Sequence, residues 1–174
     1  MNPRALSYQS GISLVEAMVA LLILTVGLIP VLAIITSSSG LAALIKNNLI
    51  AANLAQEGIE VVRGLRDANW FVSPVSLPFE TGLIGTWRVE WDTNILGAPQ
   101  KLPQVVGINP PLKFDATTGL YNYSTGTNTQ FKRTVTISLV GTCACEIKVV
   151  SIVTWPERNR TRTIMAESHL FNWK

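Results

Sequence analysis

The chain begins with a nearly continuous apolar run, which gives way to an amphipathic stretch and then to short alternating segments. Between Ile12 and Ile35 only Ser13, Glu16 and Thr25 are polar. About 20 apolar residues in a helix cross a hydrocarbon core of roughly 30 Å, so the run predicts a membrane-spanning helix. A lone carboxylate inside such a helix costs at least about 2.5 kcal/mol on insertion scales, which indicates that Glu16 needs a cationic partner.

The amphipathic stretch continues this helix. Its apolar residues recur at helical spacings, and its polar residues lie about 200° away around the axis. We interpret residues from about Ser13 to Asp67 as one helix, bent near Pro30 and loosened from Ser37 to Gly40. A helix of this length exceeds a bilayer, so its second half must pack on another part of the chain. The apolar positions are Leu44, Ala51, Ala55, Ile59 and Val62, and the polar positions are Lys46, Asn53, Glu57 and Glu60.

Beyond Trp70 the pattern changes to alternating and β-branched segments, which predict an antiparallel sheet. In "TWRVEWDT" the alternation predicts a strand that buries Trp87, Val89 and Trp91 against the helix. The segment "LKFDATTGLYNY" predicts a hairpin that turns at residues 116–119. The segments "FKRTVTISLVG", "EIKVVSIVTW" and "TRTIMAESHLF" predict a meander, with "TCAC" in its first connection and a turn from Pro156 to Arg160 in its second.

These elements indicate an α+β fold in which a long N-terminal helix packs on a C-terminal antiparallel sheet. The helix has a transmembrane half and an amphipathic half. A meander with one apolar face needs a cover, and the amphipathic half of the helix is the cover that the chain offers. A length of 174 residues allows one globular domain besides the apolar helix.

Composition and charge exclude more functions than they indicate. The net charge of +3 is modest, and the cluster of Arg158, Arg160 and Arg162 is most often a solvated turn, with nucleic-acid or anionic-surface binding as the less favoured interpretation. The only histidine is His169, and we find no nucleophile elbow, phosphate loop, dinucleotide motif or set of four metal ligands. We therefore expect no enzyme activity, no cofactor and no metal.

The two cysteines, Cys143 and Cys145, are separated by one residue. A disulfide between them would close a very small ring and would not link distant parts of the fold. We expect a loop pair without a catalytic role, either reduced or oxidised to a disulfide in an extracytoplasmic compartment.

The residues around the start of the apolar run carry a resemblance to a known family. Gly11 immediately precedes the run, Ile12 is the first residue of the run, and Glu16 is the fifth residue after the glycine. This arrangement resembles the prepilin processing signature of type IV pilins and type II secretion pseudopilins, which usually have Phe where this chain has Ile12. A secretory signal would instead have a shorter apolar region followed by its cleavage site. The stretches "LVEAMVALLILTVGLIPVLAI", "NLAQEGIEVVRGLRDANW" and "LFNWK" are similar to minor pilins of the pilus modification protein type.

The resemblance implies a pilin-like fold and a processed subunit. A prepilin peptidase would cut between Gly11 and Ile12 and methylate the new amine of Ile12, and Glu16 would pair with the N-terminal amine of a neighbouring pilin or pseudopilin. The implied divisions are a leader at 1–11, a transmembrane and assembly helix at 12–36, its amphipathic continuation at 37–69 and a β-rich head at 70–174.

In this interpretation the precursor lies in the cytoplasmic membrane as a single-pass protein with an extracytoplasmic C-terminal domain, and then enters a type IV pilus or a type II secretion pseudopilus. The alternative is an unprocessed, single-pass anchored β domain that binds an extracytoplasmic partner. A third possibility is a minor pilin that captures DNA through its arginine cluster.

Overall fold

A computed structural model describes residues 11, 13–72, 78–91, 93, 109–142 and 145–172. The chain divides into two compact units, Met1–Lys46 and Asn47–Lys174. The helix α1 (Leu14–Val72) contributes residues to both units, and the strands belong to the second. The strands are β1 (Gly85–Trp87), β2 (Lys113–Asp115), β3 (Leu120–Asn122), β4 (Thr127–Asn128), β5 (Lys132–Leu139), β6 (Glu146–Glu157) and β7 (Arg160–Phe171).

The helix α1 is continuous over 59 residues. It passes through Pro30 and through residues 37–40 without a break, and it ends five residues beyond the predicted end at Asp67. Side-chain hydroxyls in this region donate to carbonyls of the preceding turn, as Ser37 Oγ does to Ala33 O at 3.0 Å. These hydrogen bonds satisfy the hydroxyls within the helix and explain why several small polar residues do not end it.

The larger sheet has the strand order β1-β5-β6-β7, and all its pairs are antiparallel. The predicted meander is confirmed as β5, β6 and β7. Its second turn is tighter than predicted, because β6 continues through Pro156 and only Arg158 and Asn159 connect the strands. Both residues have positive φ, 46° and 63°, which is the backbone of a type I′ hairpin turn.

A smaller sheet has the order β3-β2-β4. The hairpin predicted for "LKFDATTGLYNY" is confirmed as β2 and β3, whereas β4 was not predicted because only Thr127 and Asn128 form it. Backbone hydrogen bonds from Leu112 N to Phe131 O and from Thr129 N to Leu112 O, both 2.8 Å, join this sheet to the start of β5.

The strand predicted for "TWRVEWDT" is shorter than its alternation indicates. Strand β1 ends at Trp87, and Thr93 N donates to Glu90 O at 3.0 Å, so a turn begins at Glu90 after two residues without regular structure. Val89 is buried as predicted, but Trp91 is 46% exposed, so the prediction that it packs in the core is wrong. The turn explains the difference, because it takes Trp91 out of the alternation that would have pointed it at the helix.

The core of the second unit lies between α1 and the larger sheet. The predicted apolar face is buried at Ala51, Ala55, Ile59 and Val62, and Leu65 extends it. One cluster joins the part of α1 around Val62 to the first half of β6, including Ile147 and Val149. The other joins Ala51, Leu54 and Ala55 to the second half of β6, at Val153 and Trp155. The α+β class is therefore confirmed, with the long helix packed against antiparallel sheets.

Helix and sheet approach most closely at Gly58. A Cβ atom placed there would lie 2.6 Å from Ser151 Oγ and 3.1 Å from Val135 Cγ2. Both distances are shorter than an ordinary van der Waals contact. The absence of a side chain at Gly58 therefore allows the helix backbone to pack directly on the sheet. The glycine therefore offsets its cost in helix propensity by closer packing.

Candidate processing and assembly site

The predicted cleavage point lies immediately before α1. Gly11 is exposed, and a Cβ atom placed on it would meet nothing within 4 Å. Ile12 lies outside the described residues. Ser13 precedes the helix, and its carbonyl accepts the hydrogen bond of Ala17 N at 3.0 Å. The backbone at Gly11 is therefore accessible and non-helical, which is the condition in which a peptide bond can enter a peptidase.

Glu16 lies in the first turn of α1 and is exposed. It is the third residue of the helix, so Ser13 and Glu16 have the spacing of a capping box, and the positive end of the helix dipole favours a carboxylate there. Among the residues that the structure describes, no cationic side chain forms an ion pair with it.

The part of α1 that follows Glu16, up to Ile35, is apolar on every side. Within the described chain, α1 is the one helix long and apolar enough to cross a membrane, and its most apolar stretch is not buried at all by the protein. Exposed Leu, Ile, Val and Met side chains line it throughout, including Leu21, Ile23, Leu28 and Ile35. A helix that is hydrophobic all round requires lipid or other apolar helices as its surroundings.

The one hydroxyl in this span beyond its first turn is satisfied internally. Thr25 Oγ1 donates to Leu22 O at 2.9 Å, so it presents no open donor to an apolar environment. Glu16 is the only ionisable residue of α1 before Lys46. It is consequently the only side chain in the span that brings a charge to whatever surrounds the helix.

The two cysteines lie in the connection between β5 and β6. Cys145 is disulfide-bonded, while Cys143 lies outside the described residues. The carbonyl of Cys145 accepts from Asn172 N at 2.8 Å, which ties the connection to the end of β7. The pairing of Cys143 with Cys145 stays a prediction.

Arg158, Arg160 and Arg162 are all exposed around the β6–β7 turn. Glu157 Oε2 lies 3.8 Å from Arg162 Nε and accepts from Trp155 Nε1 at 3.3 Å. From Glu157 to Arg162 the chain has three arginines and one carboxylate, so this segment carries a net positive charge.

His169 faces solvent on β7. Its Nδ1 lies 2.5 Å from Glu146 Oε1 and its Nε2 lies 3.2 Å from Glu167 Oε1, and both carboxylates hold the pKa of His169 above its usual value, mainly through the hydrogen bond with Glu146. Lys148 Nζ contacts Glu167 at 2.9 Å and lowers the pKa of that carboxyl. The group is a surface ion-pair network, and the described residues contain no cluster of His, Cys, Asp and Glu suited to a metal.

Sequence reasoning missed Arg133, which is fully buried. One Nη1 atom donates to Leu54 O at 3.0 Å and to Glu57 Oε1 at 2.9 Å, and Nη2 donates to Val89 O. The alternation of "FKRTVTISLVG" contained the signal, because it places Arg133 on the same face as Phe131, Val135 and Ile137. A charge at that position predicts a partner on the covering helix, and Glu57 is that partner.

The family model for the prokaryotic N-terminal methylation motif matches residues 6–37, which contain the predicted cleavage point, Glu16 and the apolar run. Searches of curated proteins and of solved structures each found no significant match. The matched segment supports a type IV pilin-like subunit that is processed at its N-terminus and has a membrane-anchoring helix.

Proposed function

We propose that this protein is a minor pilin or pseudopilin that is cut between Gly11 and Ile12, methylated on the amine of Ile12 and assembled into a type IV pilus or a type II secretion pseudopilus. The observation that carries the proposal is the coincidence of an accessible glycine, a carboxylate in the first helical turn and a fully exposed apolar helix, all within the matched residues 6–37.

The chemistry of Glu16 supports an assembly role. A carboxylate in an apolar environment is costly alone, and an opposite charge within a few ångströms restores the ionised form. Cleavage after Gly11 creates a new amine four residues before Glu16, and the same amine on a neighbouring subunit is the cation that Glu16 lacks among the described residues. Uncut protein has no such amine at this level of the helix, so processing and pairing are coupled.

The exposed helix supports a filament. Before assembly, lipid covers its Leu, Ile, Val and Ala side chains in the cytoplasmic membrane, and in the filament the helices of other pilins take the place of lipid. Both environments are apolar, so the exchange has a small net cost. The β-rich head then remains outside the helical bundle. Its partners in this scheme are the prepilin peptidase, the membrane and other pilin or pseudopilin subunits.

The deciding experiment is the intact mass and N-terminal sequence of the protein purified from membranes of a host that contains a prepilin peptidase. A chain that begins at Ile12 with a methylated amine is the expected result. A chain that still begins at Met1 in that host would contradict processing and favour the alternative, an unprocessed anchored β domain that binds an extracytoplasmic partner.

A second experiment tests the assembly role separately. Glu16→Ala should leave cleavage intact and lower the amount of the subunit in sheared filaments by tenfold or more. Glu60→Ala is the matched control, because it removes an exposed carboxylate of the same helix outside the apolar span. Normal filament content of the Glu16 variant would contradict the pairing.

A further inference from the structure

We propose that Arg158, Arg160 and Arg162, here called the arginine tip, dock the second unit onto the anionic lipid headgroups of the membrane before the subunit is assembled. This inference rests on the membrane-anchored state of the proposed function. It assigns a lipid-binding surface to the β6–β7 turn, which the processing motif does not involve.

The position of the tip within the second unit is the first argument. Strand β6 runs from the cluster around Val62 to the cluster around Ala51, since Ile147 packs in the first cluster and Trp155 in the second. The tip follows Trp155 by three residues, or about 10 Å of extended chain. It therefore lies at the end of the unit where the chain enters from the apolar helix.

The short tether is the second argument. The apolar run ends at Ile35 and the second unit begins at Asn47, so residues 36–46 separate them. Even fully extended, eleven residues reach at most about 37 Å. An arginine side chain reaches a further several ångströms past the turn, and its stem can extend along apolar surface while the guanidinium stays in water. Once the run is in a bilayer, this tether keeps the second unit within reach of the headgroup phosphates.

The distribution of charge is the third argument. The three arginines are exposed, and the carboxylate of Glu157 beside them contacts Arg162. At the opposite end of β6 and β7, the carboxylates of Glu146 and Glu167 pair with Lys148 and His169. The excess of positive charge on these two strands therefore lies at the end where the chain enters, which favours one orientation over an anionic surface.

A lipid surface fits the tip better than nucleic acid does. Single-stranded nucleic acid is bound by basic grooves that contain exposed aromatic side chains on which bases stack. The aromatic residue beside the tip is Trp155, which is 1% exposed and hydrogen-bonded to Glu157. The turn itself has two residues and forms a point rather than a groove, and a point suits contact with a plane of phosphates.

The test uses the full chain in lipid nanodiscs, with a fluorophore on Thr161→Cys and a headgroup nitroxide as quencher. Cys145 is disulfide-bonded and offers no thiol to the label. We compare nanodiscs of phosphatidylcholine with nanodiscs that contain one third phosphatidylglycerol. An arginine near an anionic surface shifts the ratio of docked to free unit by about fivefold, so quenching should be at least twice as strong with phosphatidylglycerol and should fall in 1 M salt, where the Debye length is about 3 Å.

Two variants of equal charge change separate the tip from general attraction. Arg158→Gln with Arg160→Gln should abolish the lipid dependence. Arg63→Gln with Lys148→Gln also removes two positive charges, but near the cluster around Val62, and it should leave the lipid dependence unchanged. Equal quenching in both lipids, or equal loss in both variants, would overturn the inference, as would retention on DNA without lipid dependence. Equal quenching of chains that have inserted overturns only the inference, whereas failure of the chain to insert into nanodiscs overturns the anchored state on which it rests.

Discussion

The guanidinium of Arg133 on β5 and the carboxylate of Glu57 on α1 lie 2.9 Å apart, with the arginine fully buried and the glutamate side chain 32% exposed. The pair joins the helix to the sheet at the level of Leu54. Because the same guanidinium also donates to Val89 O, it holds the turn after β1 against both elements. Three parts of the second unit therefore depend on one side chain.

Glu57→Ala should lower the free energy of unfolding of the second unit by about 2 kcal/mol. Breaking a fully buried pair costs about 3–5 kcal/mol, and the partial exposure of Glu57 reduces that figure. All five tryptophans lie in this unit, so their fluorescence during urea unfolding of the full chain in detergent reports on it. Glu60→Ala, which breaks an exposed pair with Arg63, should change stability by less than about 1 kcal/mol.

Gly58→Ala should destabilise the unit although alanine is the better helix former. Alanine gains about 1 kcal/mol in helix propensity, but its Cβ would approach Ser151 Oγ to 2.6 Å, and overpacking costs about 1–3 kcal/mol. Ser151→Ala removes the nearest atom, a buried hydroxyl without a partner among the described residues. A double-mutant cycle by urea unfolding should show that Ser151→Ala recovers most of the loss, and purely additive effects would contradict the contact.

Asn159→Val should destabilise the β6–β7 hairpin by about 1–2 kcal/mol. Asn159 has a φ of 63°, which asparagine tolerates and a β-branched residue does not. Asn159→Gly should retain or raise stability, because glycine adopts this conformation freely. Thermal unfolding of the two variants at one pH measures the difference, and equal melting temperatures would argue against the type I′ turn.

The pKa of His169 should lie above 6.5 in the folded protein and should fall when Glu146 is replaced by Gln. The raised pKa means that this histidine contributes stability that is complete below its unfolded pKa of about 6.5 and is lost as pH rises through the folded pKa. An NMR titration of the imidazole measures the pKa of His169 in the unchanged protein and in the Glu146→Gln variant. A pKa at or below 6.5 would show that the Glu146 contact does not form in solution.

Periodicity predicted the fold where one pattern ran uninterrupted. The apolar face of α1 and the three strands of the meander followed directly from spacings of about 3.6 and 2 residues. Trp91 was placed wrongly because the strand ends at Trp87 and a hydrogen-bonded turn joins Glu90 to Thr93, and alternation does not encode such an end. Arg133 was missed because a charge on an inward face has meaning only together with a distant partner, here 76 residues away.

For the site, the resemblance to the prepilin signature pointed to Gly11 and Glu16, and the charge of Glu16 within the apolar run was visible from the sequence alone. The structure adds that α1 is helical from Leu14 and leaves Glu16 exposed in its first turn. Neither the sequence nor the structure of a single chain could identify the partner of Glu16, because in the proposed assembly a different molecule supplies it.

The separation between Leu54 and Arg133 also bears on the order of synthesis. The donor that satisfies the Leu54 carbonyl arrives 79 residues later, and the strands that cover the same helix face follow after it. Contacts this distant along the chain form slowly. The apolar face from Ala51 to Leu65 therefore stays uncovered until the rest of the polypeptide has been synthesised. A nascent subunit is most exposed to aggregation and proteolysis during that interval, which a faster-folding N-terminal half would have avoided.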